Sequence, residues 1–114
     1  MPDALILIVE DNEDIREFIE ESLLRSEGCR VHSVKHGLEA LDALNEKTPN
    51  LVITDYHMPK LNGLELLKHI QERTSGLPVI MMSSERSDWL IVEAMRSGAA
   101  DFLVKPFDQD ALLR

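Results

Sequence analysis

A single cysteine, Cys29, has nothing to pair with, so an internal disulfide and a cysteine-built metal cluster are excluded, which fits a reducing compartment. Aromatic residues are scarce as well. At 4% aromatic and 44% hydrophobic, a chain of 114 residues has material for one ordinary domain with a modest core. Positive charge is in short supply, with 12 basic against 21 acidic side chains and a net charge of −9. Such a surface repels phosphate backbones and anionic lipid, which argues against direct nucleic-acid or membrane binding by this segment. Long hydrophobic runs are missing too. The most apolar stretch, Leu5 to Val9, falls far short of the ~20 residues of a membrane helix. It also lacks the basic leader and small-residue cleavage site of a signal peptide, so a cytoplasmic location is expected.

What is present is a regular alternation of two kinds of segment. Leu5-Ile6-Leu7-Ile8-Val9, ended by Glu10-Asp11-Asn12, has the continuous apolar character of a central strand buried on both faces. From Asn12 the period becomes helical, with Ile15, Phe18, Ile19 and Leu23 at spacings of three and four and Gly28 as a stop. Val31 and Val34 mark a second strand, less apolar and so nearer an edge. Gly37 to Glu46 carries Leu38, Leu41 and Leu44 on one helical face and ends at Thr48-Pro49. Leu51-Val52-Ile53 before Thr54-Asp55 is a third strand, and Leu64, Leu67 and Ile70 after Asn62-Gly63 mark a third helix. Val79 to Met82 is a fourth strand. Ile91, Val92 and Met95 then mark a fourth helix reaching Gly98, and Phe102-Leu103-Val104 forms a fifth strand. Asp108 opens a fifth helix with the chain ending inside it, which suggests a longer protein or a trimmed chain.

Five strands alternating with helices predict βαβ units, hence a doubly wound α/β domain over residues 1–114, its parallel five-stranded sheet covered on both faces. Such sheets place their chemistry at the carboxyl ends of the strands. There stand Glu10 and Asp11 after the first strand, Asp55 after the third, Ser83 and Ser84 after the fourth, and Lys105-Pro106 after the fifth. Three crowded carboxylates call for a hard cation, a proton or a lysine, and Mg2+, which takes oxygen ligands, is the natural candidate. An aspartate beside such an ion can act as a nucleophile toward phosphorus, with a lysine offsetting charge on the transferring group. A hydroxyl such as that of Ser83 can donate to the new phosphoryl oxygens.

Four segments carry a family resemblance in order and spacing: Ile8-Val9-Glu10-Asp11-Asn12, Thr54-Asp55-Tyr56-His57-Met58-Pro59 with Gly63 following, Pro78 to Ser83, and Gly98 to Phe107. Over essentially its whole length the sequence resembles the receiver domain of bacterial two-component response regulators, a flavodoxin-like (βα)5 fold. The resemblance implies that Asp55 accepts a phosphoryl group from a sensor histidine kinase, a phosphotransfer protein or a small phosphodonor, and that the domain catalyses its own phosphorylation and slow hydrolysis. Asp11 and Asp55 are then direct Mg2+ ligands together with the main-chain carbonyl of His57, while Glu10 acts through a water. Lys105 pairs with the phosphoryl group. Ser83 and Phe102 correspond to the switch hydroxyl and switch aromatic, and Lys105-Pro106 to a cis peptide bond. The signal would leave through helix four, strand five and helix five, to an output domain or a second copy. Three departures are visible: Glu10 for the commoner aspartate, Phe102 without a tyrosine hydroxyl, and Ser84 where alanine is common. By the same resemblance His57 and Glu85, two positions beyond Asp55 and Ser83, flank the path of hydrolytic water. The imidazole can obstruct it and the carboxylate can orient or repel water, obstruction being the expected outcome and side chains that point idly to solvent the plainer one.

Plainer readings stand beside these. Taken singly, acids at strand ends are often solvated helix caps, Ser83 a cap, and Phe102 core. His32, His36 and His69 read as surface residues, Met81 and Met82 as core. Trp89 is placed on the polar side of the fourth helix, where an exposed indole marks a partner surface or packs locally. An interaction module of the same fold without phosphorylation would be expected to lose Asp55 or Lys105, and both are present. A flavin site wants a small-residue phosphate loop where Glu10 to Asp14 stands, and an aspartate phosphatase wants a second aspartate where His57 stands.

Overall fold

The apolar runs become strands because a five-residue extended segment with both faces apolar is satisfied only inside a sheet covered on both sides. In the computed structural model, which describes residues 4–27, 29–74 and 76–106, the elements run β1 (Leu5–Val9), α1 (Glu13–Glu27), β2 (Arg30–Val34), α2 (Gly37–Glu46), β3 (Leu51–Asp55), α3 (Gly63–Arg73), β4 (Val79–Ser83), α4 (Asp88–Arg96) and β5 (Asp101–Val104). All strand pairs are parallel, in the order β2-β1-β3-β4-β5. The expected doubly wound sheet is therefore present, with β2 at an edge. Gly28 and the expected fifth helix from Asp108 lie outside the described residues.

Alternation along each strand divides the core in two. Leu7, Val9, Val52, Val79 and Met81 join Leu64, Leu67 and Ile70 of α3 and Leu90 and Ala94 of α4. Ile6, Ile8, Ile53 and Met82 pack on the other face with Ile19 and Leu23 of α1 and with Cys29. The order reverses around β1, whose successor β2 lies on one side and β3 on the other, and this opens a crevice at the carboxyl ends of β1 and β3.

The helices occupy their expected spans, yet two of them bury different residues from those that marked them. On α2 the buried side chains are Ala40 and Ala43, while Leu41 and Leu44 are half-buried and Leu38 is exposed. On α4, Leu90 and Ala94 are buried, whereas Val92 and Met95 are 46% and 47% exposed. Alanine lets a helix lie close to the sheet, and the larger residues spread along its flank. Trp89 is exposed at 62%, on the outward side of α4, the side that also carries the exposed Val92 and Met95. His36 is more than a surface residue: its Nδ1 accepts from Glu39 N at 3.4 Å and caps α2.

Candidate functional site

Strand ends bring the predicted residues together at the crevice. Glu10 follows β1, Asp55 ends β3, Ser83 ends β4, and Lys105 follows β5 through a main-chain bond from its N to Ser83 O of 2.8 Å. One carboxylate oxygen from each of Glu10, Asp11 and Asp55 lies within 4.8 Å of the others. Glu10 and Ser83 are fully buried, Asp55 nearly so, and Asp11 is exposed. The Lys105-Pro106 peptide bond is cis.

One ammonium serves two buried acids unequally. Lys105 donates to Glu10 Oε1 at 2.5 Å and stands 3.3 Å from Asp55 Oδ1. The second contact is an ion pair without hydrogen-bond alignment, so Asp55 Oδ1 is buried with no hydrogen bond among the described residues. Burial pushes the Glu10 carboxyl above the usual range, against the hydrogen bond from Lys105 and with the help of the Asp55 charge. Burial likewise raises Asp55, opposed by Lys105 and by the Tyr56 amide and assisted by Asp11. The pocket is short of positive charge. A hard divalent cation, which prefers carboxylate oxygens, fits a donor set of this composition, in which Asp55 Oδ1 has no hydrogen bond.

The local chain explains why these acids stand where they do. Glu10 N donates to Val34 O at 3.1 Å, and Asn12 N donates to Glu10 Oε2 at 3.2 Å. Asn12 Oδ1 accepts from Ile15 N at 3.0 Å and caps α1. Arg16 of α1 donates from Nη1 to Glu10 O at 3.0 Å. Side-chain bonds to the main chain leave no periodic trace, so nothing in the sequence singled it out. Behind Asp55, the first turn of α3 is fastened by a reciprocal cap in which Asn62 Oδ1 accepts from Glu65 N and Glu65 Oε1 from Asn62 N, both at 2.9 Å.

Ser83 Oγ accepts from Glu85 N at 3.0 Å. His57 and Glu85, exposed on the neighbouring loops after β3 and β4, meet at 3.2 Å between Nε2 and Oε1. Phe102 is half-buried against the α2–α4 core. Ser84 is exposed, and so are His32 and His69. Among the described residues the acidic trio is the one cluster with metal-ligand spacing.

With this geometry in place, the comparisons with known proteins become specific. The family model of the response regulator receiver domain matches residues 6–114. The chain is 33% identical over 108 residues to the chemotaxis protein CheY of Bacillus subtilis, covering 95% of this chain and 90% of that protein. It is 38% identical over 110 residues to the DNA-binding transcriptional regulator NtrC of Escherichia coli K12, covering 96% of this chain but 23% of NtrC. Among solved structures, the receiver domain of NtrX from Brucella abortus superposes with a TM-score of 0.87 at 37% identity, over 95% of this chain and 91% of that one. Glu10, Asp11 and Asp55 form an acidic cluster of the kind typical of receiver Mg2+ sites.

Proposed function

The chain belongs to the response regulator receiver domain family, and on that premise we propose that Asp55 takes up a phosphoryl group from a sensor histidine kinase or a phosphotransfer protein. The observation that carries this reading is the buried Asp55 oxygen without a hydrogen bond, at the end of the central strand beside a lysine and two further acids. In the transfer an Asp55 oxygen attacks phosphorus, the bond from phosphorus to the donor imidazole breaks, and an acyl phosphate remains on Asp55. Lys105, held at the site by Glu10, offsets charge on the transferring group. The Ser83 hydroxyl uses a lone pair for Glu85 N, which leaves its proton to donate to a phosphoryl oxygen. Asp11, Asp55 and the His57 main-chain carbonyl would hold Mg2+, and Glu10, already engaged with Lys105 and Asn12, would act through a water. When bound, the ion supplies further positive charge to the phosphoryl oxygens.

The signal leaves through α4 and β5 and the segment beyond, with Ser83 and Phe102 as the moving parts. The exposed Trp89, Val92 and Met95 support α4 as a docking face for an output module or a second copy. The chain matches about a quarter of the length of the NtrC regulators, and an attached output module of this chain is part of the same proposal.

Incubation with a small phosphodonor and Mg2+ tests the chemistry. Intact mass should rise by one phosphoryl group in the wild type and stay unchanged in Asp55→Asn, because an amide is a poor nucleophile. Modification persisting in the variant would put the nucleophile elsewhere. Lys105→Ala should keep some modification and lose much of the switch.

The contact between His57 and Glu85 supports their assignment as an obstruction to water and hence a long-lived phosphorylated state. Dephosphorylation should quicken in His57→Asn and Glu85→Ala at fixed Mg2+. Rates within about twofold of wild type in both, below ~0.5 kcal/mol in the barrier, would end that assignment.

A further inference from the structure

Arg16 straddles the exposed member of the acidic cluster. Its main-chain N–H donates to Asn12 O at 2.9 Å, the first bond of α1, while its guanidinium turns back to Glu10 O at 3.0 Å. The two acceptors lie on either side of Asp11. No hydrogen bond or ion pair of the Asp11 carboxylate itself is found among the described residues. Its direction is therefore set by the turn that carries it. The register between β1 and β3 ends at Val9 opposite Thr54, one residue short of Glu10, and the guanidinium supplies a donor where the ladder stops.

We propose that Arg16 is a positioning residue for cation binding: by bracing the Glu10–Asn12 turn it aims the Asp11 carboxylate at Asp55. This rests on the Mg2+ reading of the site given above. A carboxylate on a braced turn loses less freedom when it takes up a cation, and groups that orient metal ligands typically contribute about 10- to 100-fold in affinity. Bracing and charge act in opposite directions here. A guanidinium bonded to the Glu10 carbonyl, beside the acidic cluster, competes electrostatically with an incoming cation, so removing its charge alone tightens Mg2+ binding, whereas removing the brace weakens it. The sign of the change separates the two.

Mg2+ affinity is measured by calorimetric titration at a temperature where circular dichroism shows each variant folded, with the Asp11 and Asn12 amide resonances followed in parallel. Arg16→Met keeps the apolar stem and removes the donor, and should weaken binding about tenfold or more. Arg16→Lys, a charged donor of shorter reach, should recover part of the loss. Arg25→Met, at the far end of the same helix, should match the wild type. Affinity in Arg16→Met that is tighter than wild type, or within about twofold of it, overturns the proposal. So does an equal loss in Arg25→Met, which would mean general loosening of α1. Should Arg16→Met fail to fold, Arg16→Gln decides by the same sign. A wild type that does not bind Mg2+ removes the metal reading itself, and this proposal with it. Wild-type binding that is lost in Asp11→Asn but unaffected in Arg16→Met removes this proposal alone.

Discussion

Asp55 and Glu10 share one ammonium, and the sharing has a cost at the level of single residues. Lys105 is closer to Glu10, so the Asp55 charge is the less compensated of two buried charges. Asp55→Asn removes that charge and leaves the Lys105–Glu10 pair intact, and should stabilise the metal-free domain by about 1 kcal/mol. The pH dependence follows from the raised Asp55 carboxyl. The folded chain then binds more protons than the unfolded one through the carboxylate range, and stability falls as pH rises through it. The advantage of Asp55→Asn should accordingly vanish below the ordinary aspartate value of 3.8 and grow as pH climbs through the raised folded value. Thermal melts of both proteins without divalent cations check this. An advantage independent of pH would mean that the burial of Asp55 is not its source.

At the scale of elements, the first turn of α3 sets the backbone beneath Asp55. A Cβ on Gly63 would lie 2.6 Å from Asp55 O and 2.9 Å from Tyr56 Cα, both main-chain atoms that cannot swing aside. Gly63→Ala should therefore cost about 1–3 kcal/mol, as overpacking does, and slow phosphorylation by displacing the Asp55 loop. Denaturant unfolding and the intact-mass assay measure the two effects. The elements themselves were legible because strands buried on both faces read as unbroken apolar runs, and Leu5 to Val9 needs no partner to be recognised. Helix faces were less so. The leucines of α2 and the Ile91-Val92-Met95 set of α4 give the correct period, but a close-lying helix seats Ala40, Ala43 and Ala94 against the core, and hydrophobicity alone ranks those residues low. The acids, Ser83 and Lys105 of the site were visible as strand-end residues. Arg16 was not, since its contact is with a carbonyl, and neither was the pairing of His57 with Glu85, which arises only when two neighbouring loops meet.

For the whole molecule, the net charge of −9 means that any cation screens self-repulsion to some degree. Specific binding must be separated from that background. At Mg2+ a hundredfold above its dissociation constant the domain should gain about 2.7 kcal/mol, reversed by a chelator and absent from an Asp11→Asn, Asp55→Asn double variant. Melts against sodium at matched ionic strength decide the matter, and equal shifts in the two salts would leave only screening. The long separation between the charged partners has a temporal meaning too. Glu10 and Lys105 are 95 residues apart in sequence, and Lys105 reaches Glu10 only after β5 has docked on β4. A nascent chain, or one whose last strand has come loose, carries the acids without their counter-ion. The positive charge of the pocket is therefore the last of its parts to arrive along the chain, and its presence depends on β5 being seated.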